Sequence, residues 1–360
     1  MRFVDVNPFF YPFKGGIEHR MHDTARLLAQ RGHDVTILTG RLPGTEEEEI
    51  AKEGYRIIRL ESRLINVYNP PIISSKGVLE ALGSLDADVV NYNYRWAPSY
   101  NKDLARYEGK KVFTYHNTWG EGMGWQAKLS EMNDNRFRRT LDTFDHIICV
   151  SRFVQKDLAT RGVPAERTSM IPSCLSSFPK VSSEEGDFIL SLGRLVRTKG
   201  LTYLIDAMED VDCRLYICGK GPEHKRLSKQ ISDRGLEDKV VMKGYVTEEE
   251  KYKLMSTCKA FVVPSLWESL GLATVELMSY GRPVVSSDVG GLPETVGEGG
   301  LTVPPKDPAA LADAINRLLL NDDLRRDTGR RARAHAETYD WKYHIERLEN
   351  ILEMVCNKRE

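Results

Sequence analysis

The stretch Pro264–Val285, PSLWESLGLATVELMSYGRPVV, organises the rest of this chain. A strand-like apolar run precedes it, and its last residues begin another. Between the two runs a helix is predicted to begin near Gly271, where a turn would direct backbone N–H groups outward at the positive end of the helix dipole. Glu268 lies before that turn and Glu276 lies on the early helix. The stretch therefore predicts a strand, helix and strand with an anion site between two carboxylates.

Length and composition describe a globular protein of more than one core. A chain of 360 residues exceeds the usual size of one core, so two domains are expected. With 51 basic and 52 acidic residues the net charge is −1, and no nucleic-acid partner is expected. The six cysteines lack C-x-x-C spacing and favour buried reduced thiols. Without a signal-peptide core or a long apolar run, the sequence predicts a cytoplasmic protein.

Strands alternate with helices along both halves of the chain, which predicts an α/β fold with two parallel, doubly wound sheets. A proline- and serine-rich segment without periodicity separates the halves and is typical of a linker. The predicted organisation is an N-terminal Rossmann-like domain over 1–172, a linker over 173–186, a C-terminal Rossmann-like domain over 187–336 and a final amphipathic helix within 337–360.

Two features of the first half lie where ligands bind in such sheets. Gly15 and Gly16 begin a helix after the first strand, which is either a point of close ligand approach or a plain tight turn. His116 follows the strand Lys111–Tyr115 and either takes part in chemistry or is a hydrogen-bonded strand end. From the residues alone both alternatives stay open.

Two surface segments of the first half have simple interpretations. Residues Leu64–Ile73 are apolar and broken by prolines; packing on their own domain is favoured over an exposed surface for a lipid-like acceptor. Arg136, Arg138 and Arg139 around Phe137 indicate a solvent-facing helix surface. A peripheral contact of the N-terminal domain with the inner face of the membrane is a further expectation.

The second half gathers anion-binding features at one sheet edge. Arg194 and Lys199 are five residues apart across a loop, so both can face one diphosphate. Glycines that end neighbouring strands leave room for a flat ring, and Glu276 is placed to reach a ribose diol. Each feature could be structural on its own, but their convergence indicates a nucleoside diphosphate. The glycines are Gly219, Gly221 and Gly244.

Several motifs occur in the order and at the spacings of a known family. They are GGIE at 15–18, GRLVRTKG at 193–200, GKGP at 219–222, GYV at 244–246, PSLWESLGLATVELM at 264–278, GRPVV at 281–285 and GGLPE at 290–294. Together they resemble the retaining GT-B glycosyltransferases of glycosyltransferase family 4, the glycosyl transferases group 1. The resemblance implies two Rossmann-like domains facing each other across a cleft, with a C-terminal helix that crosses back to the first domain.

The resemblance also implies roles for individual residues. Arg194 and Lys199 would hold the diphosphate and stabilise its charge as it leaves, while Glu276 would bind the ribose hydroxyls. The remaining candidates would contact the base, the sugar or the phosphates. They are backbone at Tyr245 and Val246 for the base, Glu268 with Ser269, Leu270, Gly271 and Leu272 for the sugar and its phosphate, Gly193 and Gly219 beside them, Gly15 and Gly16 for the diphosphate, and His116 beside the sugar.

The activity implied is transfer of a hexose-type sugar from a UDP- or GDP-linked donor to a lipid, a glycan or a small molecule. The stereochemistry would be retained by a front-face mechanism, without a metal or other cofactor. Two positions depart from the family pattern, Asn91-Tyr92 and Ser173-Cys174, and they leave the acceptor open. A GT-B sugar-nucleotide epimerase is the first alternative. An NAD-binding oxidoreductase is the second, although GKGP at 219–222 lacks the third glycine of a dinucleotide-binding loop.

Overall fold

The computed structural model describes residues 1–65, 72–119 and 125–358. It consists of two compact α/β units. Unit 1 comprises Met1–Cys174 and Trp341–Glu360, and unit 2 comprises Leu175–Asp340. The predicted α/β fold with two doubly wound domains is confirmed.

Unit 1 is built on a mostly parallel sheet. Its strands are β1 (Arg2–Val6), β2 (Asp34–Gly40), β3 (Glu48–Ile50), β4 (Arg56–Leu60), β7 (Val89–Tyr92), β8 (Lys111–Tyr115), β9 (His146–Cys149) and β10 (Thr168–Met170), and a separate antiparallel pair is formed by β5 (Ser62–Ile65) and β6 (Ile72–Ser75). The strand order is β10-β9-β8-β7-β1-β2-β4-β3, and only β3 runs antiparallel to its neighbour. The order reverses between β1 and β7, which is the point where ligands bind in such sheets.

The helices of unit 1 cover the sheet because each has one apolar face. They are α1 (Gly16–Gln30), α2 (Val78–Ser84), α3 (Pro98–Arg106), α4 (Trp125–Leu141), α5 (Arg152–Thr160) and α13 (Ile345–Asn357). α1 buries Met21, Thr24 and Leu28 on one face. Ser151 caps α5 by accepting a hydrogen bond from the Val154 N–H at 3.2 Å, as serine does at helix starts.

Two segments of unit 1 form strands where the sequence pattern indicates loops or a solvated face. The acidic run before Ile50 is exposed, as a solvated face would be, but it forms the edge strand β3. The apolar segment Leu64–Ile73 contributes to both arms of a hairpin, with Ser62 Oγ 2.6 Å from Ser75 Oγ. Residues 66–71 of that segment lie outside the described residues, so the favoured packing on its own domain and the alternative of a lipid-facing surface both stay predictions.

Unit 2 contains one fully parallel sheet. Its strands are β11 (Phe188–Leu192), β12 (Arg214–Cys218), β13 (Val240–Gly244), β14 (Phe261–Val263), β15 (Val284–Ser287) and β16 (Gly300–Val303), in the order β13-β12-β11-β14-β15-β16. The order reverses between β11 and β14. Its helices are α6 (Leu201–Ala207), α7 (His224–Asp233), α8 (Glu248–Thr257), α9 (Leu272–Met278), α10 (Leu292–Val296), α11 (Pro308–Leu319) and α12 (Asp322–Glu337).

Most of the predicted linker is held on unit 2. Arg282 is buried; its guanidinium lies 3.0 Å from a Glu185 carboxylate oxygen and donates to the Ser182 carbonyl oxygen at 3.2 Å. Arg325 also donates to Glu185, at 2.8 Å. These charge-assisted bonds are strong, and they fix residues 182–185 to the unit that follows them.

The terminal helix α13 is part of the core of unit 1. Its residues Ile345, Leu348, Ile351, Leu352 and Val355 are buried in one cluster with β1, α1 and β2. Its predicted stripe is therefore confirmed. Arg31 and His33, just after α1, also bind Glu349 on α13, at 2.6 and 2.5 Å.

Six cysteines are free thiols, and five of them are buried, which agrees with the interpretation from spacing. Burial raises the pKa of Cys218 to about 11, so this thiol is not an activated nucleophile. A helix long and apolar enough to span a bilayer is not found among the described residues.

Candidate active site

The site of unit 2 is built where the loops after β11 and β12 touch. The Gly193 N–H donates to the Cys218 carbonyl oxygen at 3.0 Å. Gly219 has φ +140°, and a β-carbon there would lie 1.8 Å from the Gly193 carbonyl oxygen. Only glycine fits this approach, and the two loops therefore form one edge above the sheet.

Lys199 is placed by the loop that follows β14. Gly200 has φ +62°, and a β-carbon there would lie 1.9 Å from the Pro264 carbonyl oxygen. The Leu266 N–H donates to the Thr198 carbonyl oxygen at 2.7 Å. This packing brings Lys199 Nζ to 2.8 Å from a Glu268 carboxylate oxygen, with side chains 26% and 19% exposed. The stretch Pro264–Val285 and the loop that carries Arg194 and Lys199 are therefore packed against each other.

Arg194 differs from Lys199 in its exposure and in its contacts. Its side chain is exposed, and within the described part of the chain it makes no hydrogen bond or ion pair. It lines the same cavity as Gly193, Lys199, Glu268 and Thr274. An unengaged guanidinium beside a partly buried ammonium is an arrangement that suits a multiply charged anion.

The turn between Glu268 and α9 is fixed by the loop after β15. Gly271 has φ +87° and precedes α9, so the helix begins where the sequence predicts. A β-carbon at Gly290 would lie 1.8 Å from the Glu268 carbonyl oxygen, to which the Gly291 N–H donates at 3.0 Å. Thr295 Oγ1 donates to the Leu270 carbonyl oxygen at 2.5 Å. The GGLPE motif is thus the support of the Ser269–Leu272 turn.

Glu276 is held by a residue that the sequence analysis did not identify. Lys251 Nζ on α8 lies 2.6 Å from a Glu276 carboxylate oxygen. Lys251 follows three glutamates at a helix start, a pattern that is usual for a solvated helix end and carries no signal of this contact. The lysine orients the carboxylate that we predict for the ribose.

The predicted base-binding residues lie just before α8. The Tyr245 ring is 70% exposed, and Lys220 Nζ lies 5.2 Å from its centre. Val246 is partly exposed, and Thr247 caps α8 by accepting from the Glu250 N–H at 3.2 Å. An exposed aromatic ring at a strand end is available to a flat ligand.

In unit 1 the glycine pair begins α1 beside a buried acid. A β-carbon at Gly15 would lie 2.5 Å from Glu18 Oε2, whereas one at Gly16 would have open space around it. Glu18 is 4% exposed and accepts from Asn7 Nδ2 at 3.1 Å. Burial raises the pKa of Glu18 to about 7, against the lowering effect of its hydrogen bonds. The glutamate of the GGIE motif therefore supports the turn, which the sequence analysis did not foresee.

His116 lies at the end of a buried amide and carboxylate network. Its Nε2 is 3.0 Å from Asn93 Oδ1. Asn93 Nδ2 donates to Asp5 Oδ1 at 2.6 Å, and Asn91 Nδ2 donates to the same oxygen at 2.8 Å. Thr114 Oγ1 donates to Asn91 Oδ1 at 2.8 Å. The network spans β1, β7 and β8, at the switch point of this sheet.

The charges of this network are reduced by its surroundings. Burial raises the pKa of Asp5 to about 7, which its two amide donors and Arg20 oppose. Desolvation, with Arg20 and Arg95 nearby, lowers the pKa of His116 well below its usual range. His116 is therefore neutral at pH 7.

One group of residues in unit 1 has the composition of a metal site. His33, Glu349 and Glu353 offer ligand atoms within 4.8 Å of one another. Arg31 already lies 2.6 Å from Glu349, and a cation at that position opposes a second one. We assign no metal to this group.

The predicted residues thus fall into two sets. Unit 2 brings Gly193, Arg194, Lys199 and Glu268 to one cavity, with the Ser269–Leu272 turn packed beside it. Gly15, Gly16 and His116 belong to unit 1. The substrate contacts assigned to all of them stay predictions.

Two family models match the chain. The model for glycosyl transferases group 1 matches residues 176–335, and that for Glycosyltransferase Family 4 matches residues 14–176. The O-antigen chain mannosyltransferase C of Escherichia coli is 27% identical over 356 residues, 94% of each chain. The phosphatidyl-myo-inositol mannosyltransferase of Mycobacterium leprae is 27% identical over 389 aligned positions, 99% of this chain and 97% of that protein.

Solved structures of glycosyltransferases share the fold along the whole chain. Sucrose-phosphate synthase from Thermosynechococcus elongatus superposes with a TM-score of 0.82 at 22% identity, over 99% of both chains. HepE from Anabaena, solved with UDP-glucose, superposes with a TM-score of 0.77 at 19% identity, over 98% of this chain and all of that one.

Proposed function

This chain belongs to the GT-B glycosyltransferases of family 4, and on that premise we propose that it transfers a hexose-type sugar from a UDP- or GDP-linked donor with retention of configuration. The observation that carries the proposal is the cavity shared by Arg194, Lys199 and Glu268. Two cations and one carboxylate at the switch point of a parallel sheet suit a diphosphate joined to a hydroxyl-rich sugar.

The chemistry follows from where charge develops. Breaking the bond between the sugar and the phosphate places negative charge on the leaving diphosphate and oxocarbenium character on the sugar. Arg194 and Lys199 are the groups that would stabilise the leaving charge, and one such preorganised donor contributes on the order of 3 kcal/mol. Glu268, next to Lys199, would orient the lysine and accept a hydrogen bond from a sugar hydroxyl.

We further propose a front-face mechanism without a metal. Retention by double displacement needs a carboxylate nucleophile near the anomeric carbon. Glu268, the acid of the cavity, is engaged by Lys199 at 2.8 Å and is assigned to binding. In a front-face reaction the leaving phosphate oxygen takes the acceptor proton, and Arg194 and Lys199 supply the positive charge that a metal ion would otherwise provide.

The epimerase and oxidoreductase alternatives lose their support. Both family models that match the chain describe glycosyltransferases.

For the acceptor we propose a lipid-linked molecule at the inner face of the membrane. The Mycobacterium leprae relative is named for a phosphatidylinositol acceptor. The exposed face of α4 between residues 128 and 139 combines cations with apolar side chains and one acid. They are Lys128, Arg136, Arg139, Leu129, Met132 and Glu131. Such a face suits an anionic membrane surface.

A thermal-shift panel of UDP, GDP, ADP and dTDP, with NAD as the reference, tests the donor. A nucleotide at one hundred times its Kd stabilises the protein by about 2.7 kcal/mol, a visible shift. We expect UDP or GDP to respond. A response to NAD with none to any nucleoside diphosphate would refute the transferase proposal.

Removal of divalent ions tests the metal-free mechanism separately. Sugar transfer after EDTA treatment and gel filtration is expected to equal that of the untreated enzyme. Loss of transfer that Mg²⁺ restores would contradict the mechanism and leave the donor assignment intact.

Vesicle co-sedimentation tests the membrane contact. We expect binding to phosphatidylglycerol vesicles but not to phosphatidylcholine vesicles, and weaker binding at high salt. The double variant Arg136→Glu with Arg139→Glu should lose binding to phosphatidylglycerol vesicles. The matched control is Arg326→Glu with Arg330→Glu on α12, two exposed arginines of unit 2. Equal loss in both double variants would contradict a contact through α4.

A further inference from the structure

The Glu276 carboxylate lies close to the cavity of unit 2. Ala273 lines that cavity, and Glu276 follows it three residues later on the same face of α9. The Glu276 side chain is 37% exposed, so a ligand can reach it. A carboxylate offers two oxygens with about four lone-pair sites. Glu276 can therefore accept hydrogen bonds from a ribose diol while it keeps a second partner.

That second partner is Lys251. Lys251 Nζ lies 2.6 Å from Glu276 Oε1, and the lysine side chain is 23% exposed. Hydrogen bonds between an ammonium and a carboxylate are shorter and stronger than those between neutral groups. One oxygen of Glu276 is therefore satisfied by the protein itself, and its charge is balanced.

The backbone and a neighbouring ring hold Lys251 in place. The Lys251 N–H donates to the Thr247 carbonyl oxygen at 2.8 Å in the first turn of α8. The next residue, Tyr252, meets Tyr280 edge to face, with ring centres 5.7 Å apart. Tyr280 follows Glu276 by four residues. The segments that carry the lysine and the glutamate are thus joined by an ion pair and by an aromatic contact.

We propose that Lys251 makes the site tolerant of a missing 2′-hydroxyl, so that the enzyme accepts 2′-deoxyribonucleoside diphosphate sugars as well as ribonucleoside ones. The inference rests on the proposed function, with Glu276 at the ribose, and extends its donor class. A protein group that binds a substrate hydroxyl rejects the analogue without it mainly because that group is left unpaired. Glu276 is not left unpaired, since Lys251 engages it with either nucleotide.

The exposure of the pair supports the same conclusion. Because the Glu276 side chain is 37% exposed, a water molecule can take the position of the missing hydroxyl. Loss of one hydrogen bond that water replaces raises a Kd about fivefold. Without Lys251 the carboxylate would bring an unbalanced charge near the diphosphate, and each ribose hydroxyl would contribute more to binding.

Calorimetric titration of the unmodified protein tests the tolerance directly. The probes are UDP with 2′-deoxy-UDP and GDP with 2′-deoxy-GDP, so that the members of each pair differ in one hydroxyl and share their base. For whichever nucleotide binds, we expect the Kd of its 2′-deoxy analogue to be at most about tenfold higher. A larger increase would overturn the inference without any variant having to fold.

The variant Lys251→Met tests the role of the lysine. We expect the ratio of the deoxy Kd to the ribo Kd to rise about tenfold above that of the parent, because Glu276 has lost its charged partner. A loss of folded protein would change both Kd values alike and leave their ratio as it is. Lys251→Arg keeps the charge and should restore the ratio. An unchanged ratio in Lys251→Met would overturn the inference.

The matched control is Lys253→Met. Lys253 is an exposed lysine of the same helix, two residues beyond Lys251, and its replacement should leave the ratio at the parent's value. A rise equal to that of Lys251→Met would show that the general charge of α8 determines the ratio, and it would overturn the role of the ion pair.

The outcomes separate the inference from the proposed function. Binding of UDP or GDP together with strong rejection of its 2′-deoxy analogue would overturn the inference alone. A response to NAD, with none to the ribonucleotides or their 2′-deoxy analogues, would overturn the proposed function.

Discussion

The two sheets of this protein reverse their strand order in the same way, but the residues at the two reversal points differ in charge and exposure. In unit 2 that point carries Arg194, which is exposed, and the Lys199–Glu268 pair, which is partly exposed. In unit 1 it carries Asp5, Asn91 and Asn93, which are 2%, 6% and 4% exposed.

The difference shows what each edge can bind. Unit 2 keeps its ions accessible, and a group that develops charge can be stabilised there. In unit 1, burial among amides raises the pKa of Asp5 to about 7, so the network of Asp5, Asn91 and Asn93 carries little charge of its own, with Arg20 as the nearby cation. A neutral, directional network suits hydroxyl groups. The same fold thus supplies charged groups in unit 2 and a directional hydrogen-bonding network in unit 1.

The largest expected effect tests the charged edge. Arg194→Ala should lower kcat by about 10²- to 10³-fold, because a donor aimed at the leaving group is lost. Arg197→Ala is the control: its side chain is 74% exposed and lies three residues along the same loop. Steady-state kinetics measure both. A loss confined to KM would show that Arg194 only binds the donor, and equal losses in both variants would remove its special role.

The next effect tests the neutral edge through stability. The pKa of Asp5, about 7 when folded, lies above its ordinary value of 3.8. Between these values the unfolded chain releases the proton and the folded chain keeps it, so the unfolding free energy falls as pH rises from about 4 to 7. We expect Asp5→Asn to lose this dependence. Between pH 4 and pH 8 its unfolding free energy should therefore fall less than that of the parent, by on the order of 3 kcal/mol.

Urea unfolding of both proteins at pH 4 and pH 8 measures that difference. Asp313→Asn, at an exposed position of α11, is the control and should follow the parent. If Asp5→Asn shows the parent's pH dependence, Asp5 is ionised in the folded protein and the contrast between the edges is wrong.

A smaller effect sharpens the division of labour within unit 2. Glu276→Ala should raise the Kd of the nucleoside diphosphate about thirtyfold, or about 2 kcal/mol, since hydrogen bonds to a carboxylate are lost. Calorimetric titration measures the Kd, and Glu249→Ala on the exposed face of α8 serves as the control. An unchanged Kd with a lowered kcat would show that Glu276 acts in the chemical step and does not bind the ribose.

The smallest effect concerns the far end of the unit 1 network. Thr114→Val removes the donor to Asn91 Oδ1 with little change in volume and should cost about 1 kcal/mol of unfolding free energy. Thr143→Val, at an exposed position, should be nearly neutral. Urea denaturation distinguishes them, and equal stabilities would show that the Thr114 hydroxyl is not needed.

The two edges also differ in how far sequence could predict them. Gly200, Gly219 and Gly290 lie in motifs that the sequence shows. Their positive φ angles and close carbonyl contacts explain why no other residue fits at these positions. Arg194 and Lys199 are readable because their spacing suits a diphosphate. The parallel sheets follow from the alternation of strands and helices, and their existence was predictable even where their ends were not.

The neutral edge carries no such pattern. Asp5 lies 86 residues before Asn91 and 88 before Asn93 along the chain, and the parallel pairing of β1 with β7 brings them together. Lys251 and Glu276 meet for the same kind of reason, between two helices. Contacts between distant segments depend on register, which local periodicity does not specify.

The return of the chain to unit 1 at Trp341 has a consequence for synthesis in the cell. Unit 2 is an insertion within unit 1, and its residues leave the ribosome as one continuous segment. Unit 1 lacks the apolar face of α13 until the last twenty residues emerge. Because domains fold as units during synthesis, unit 2 is complete first, and the first unit to be made is the last to be finished.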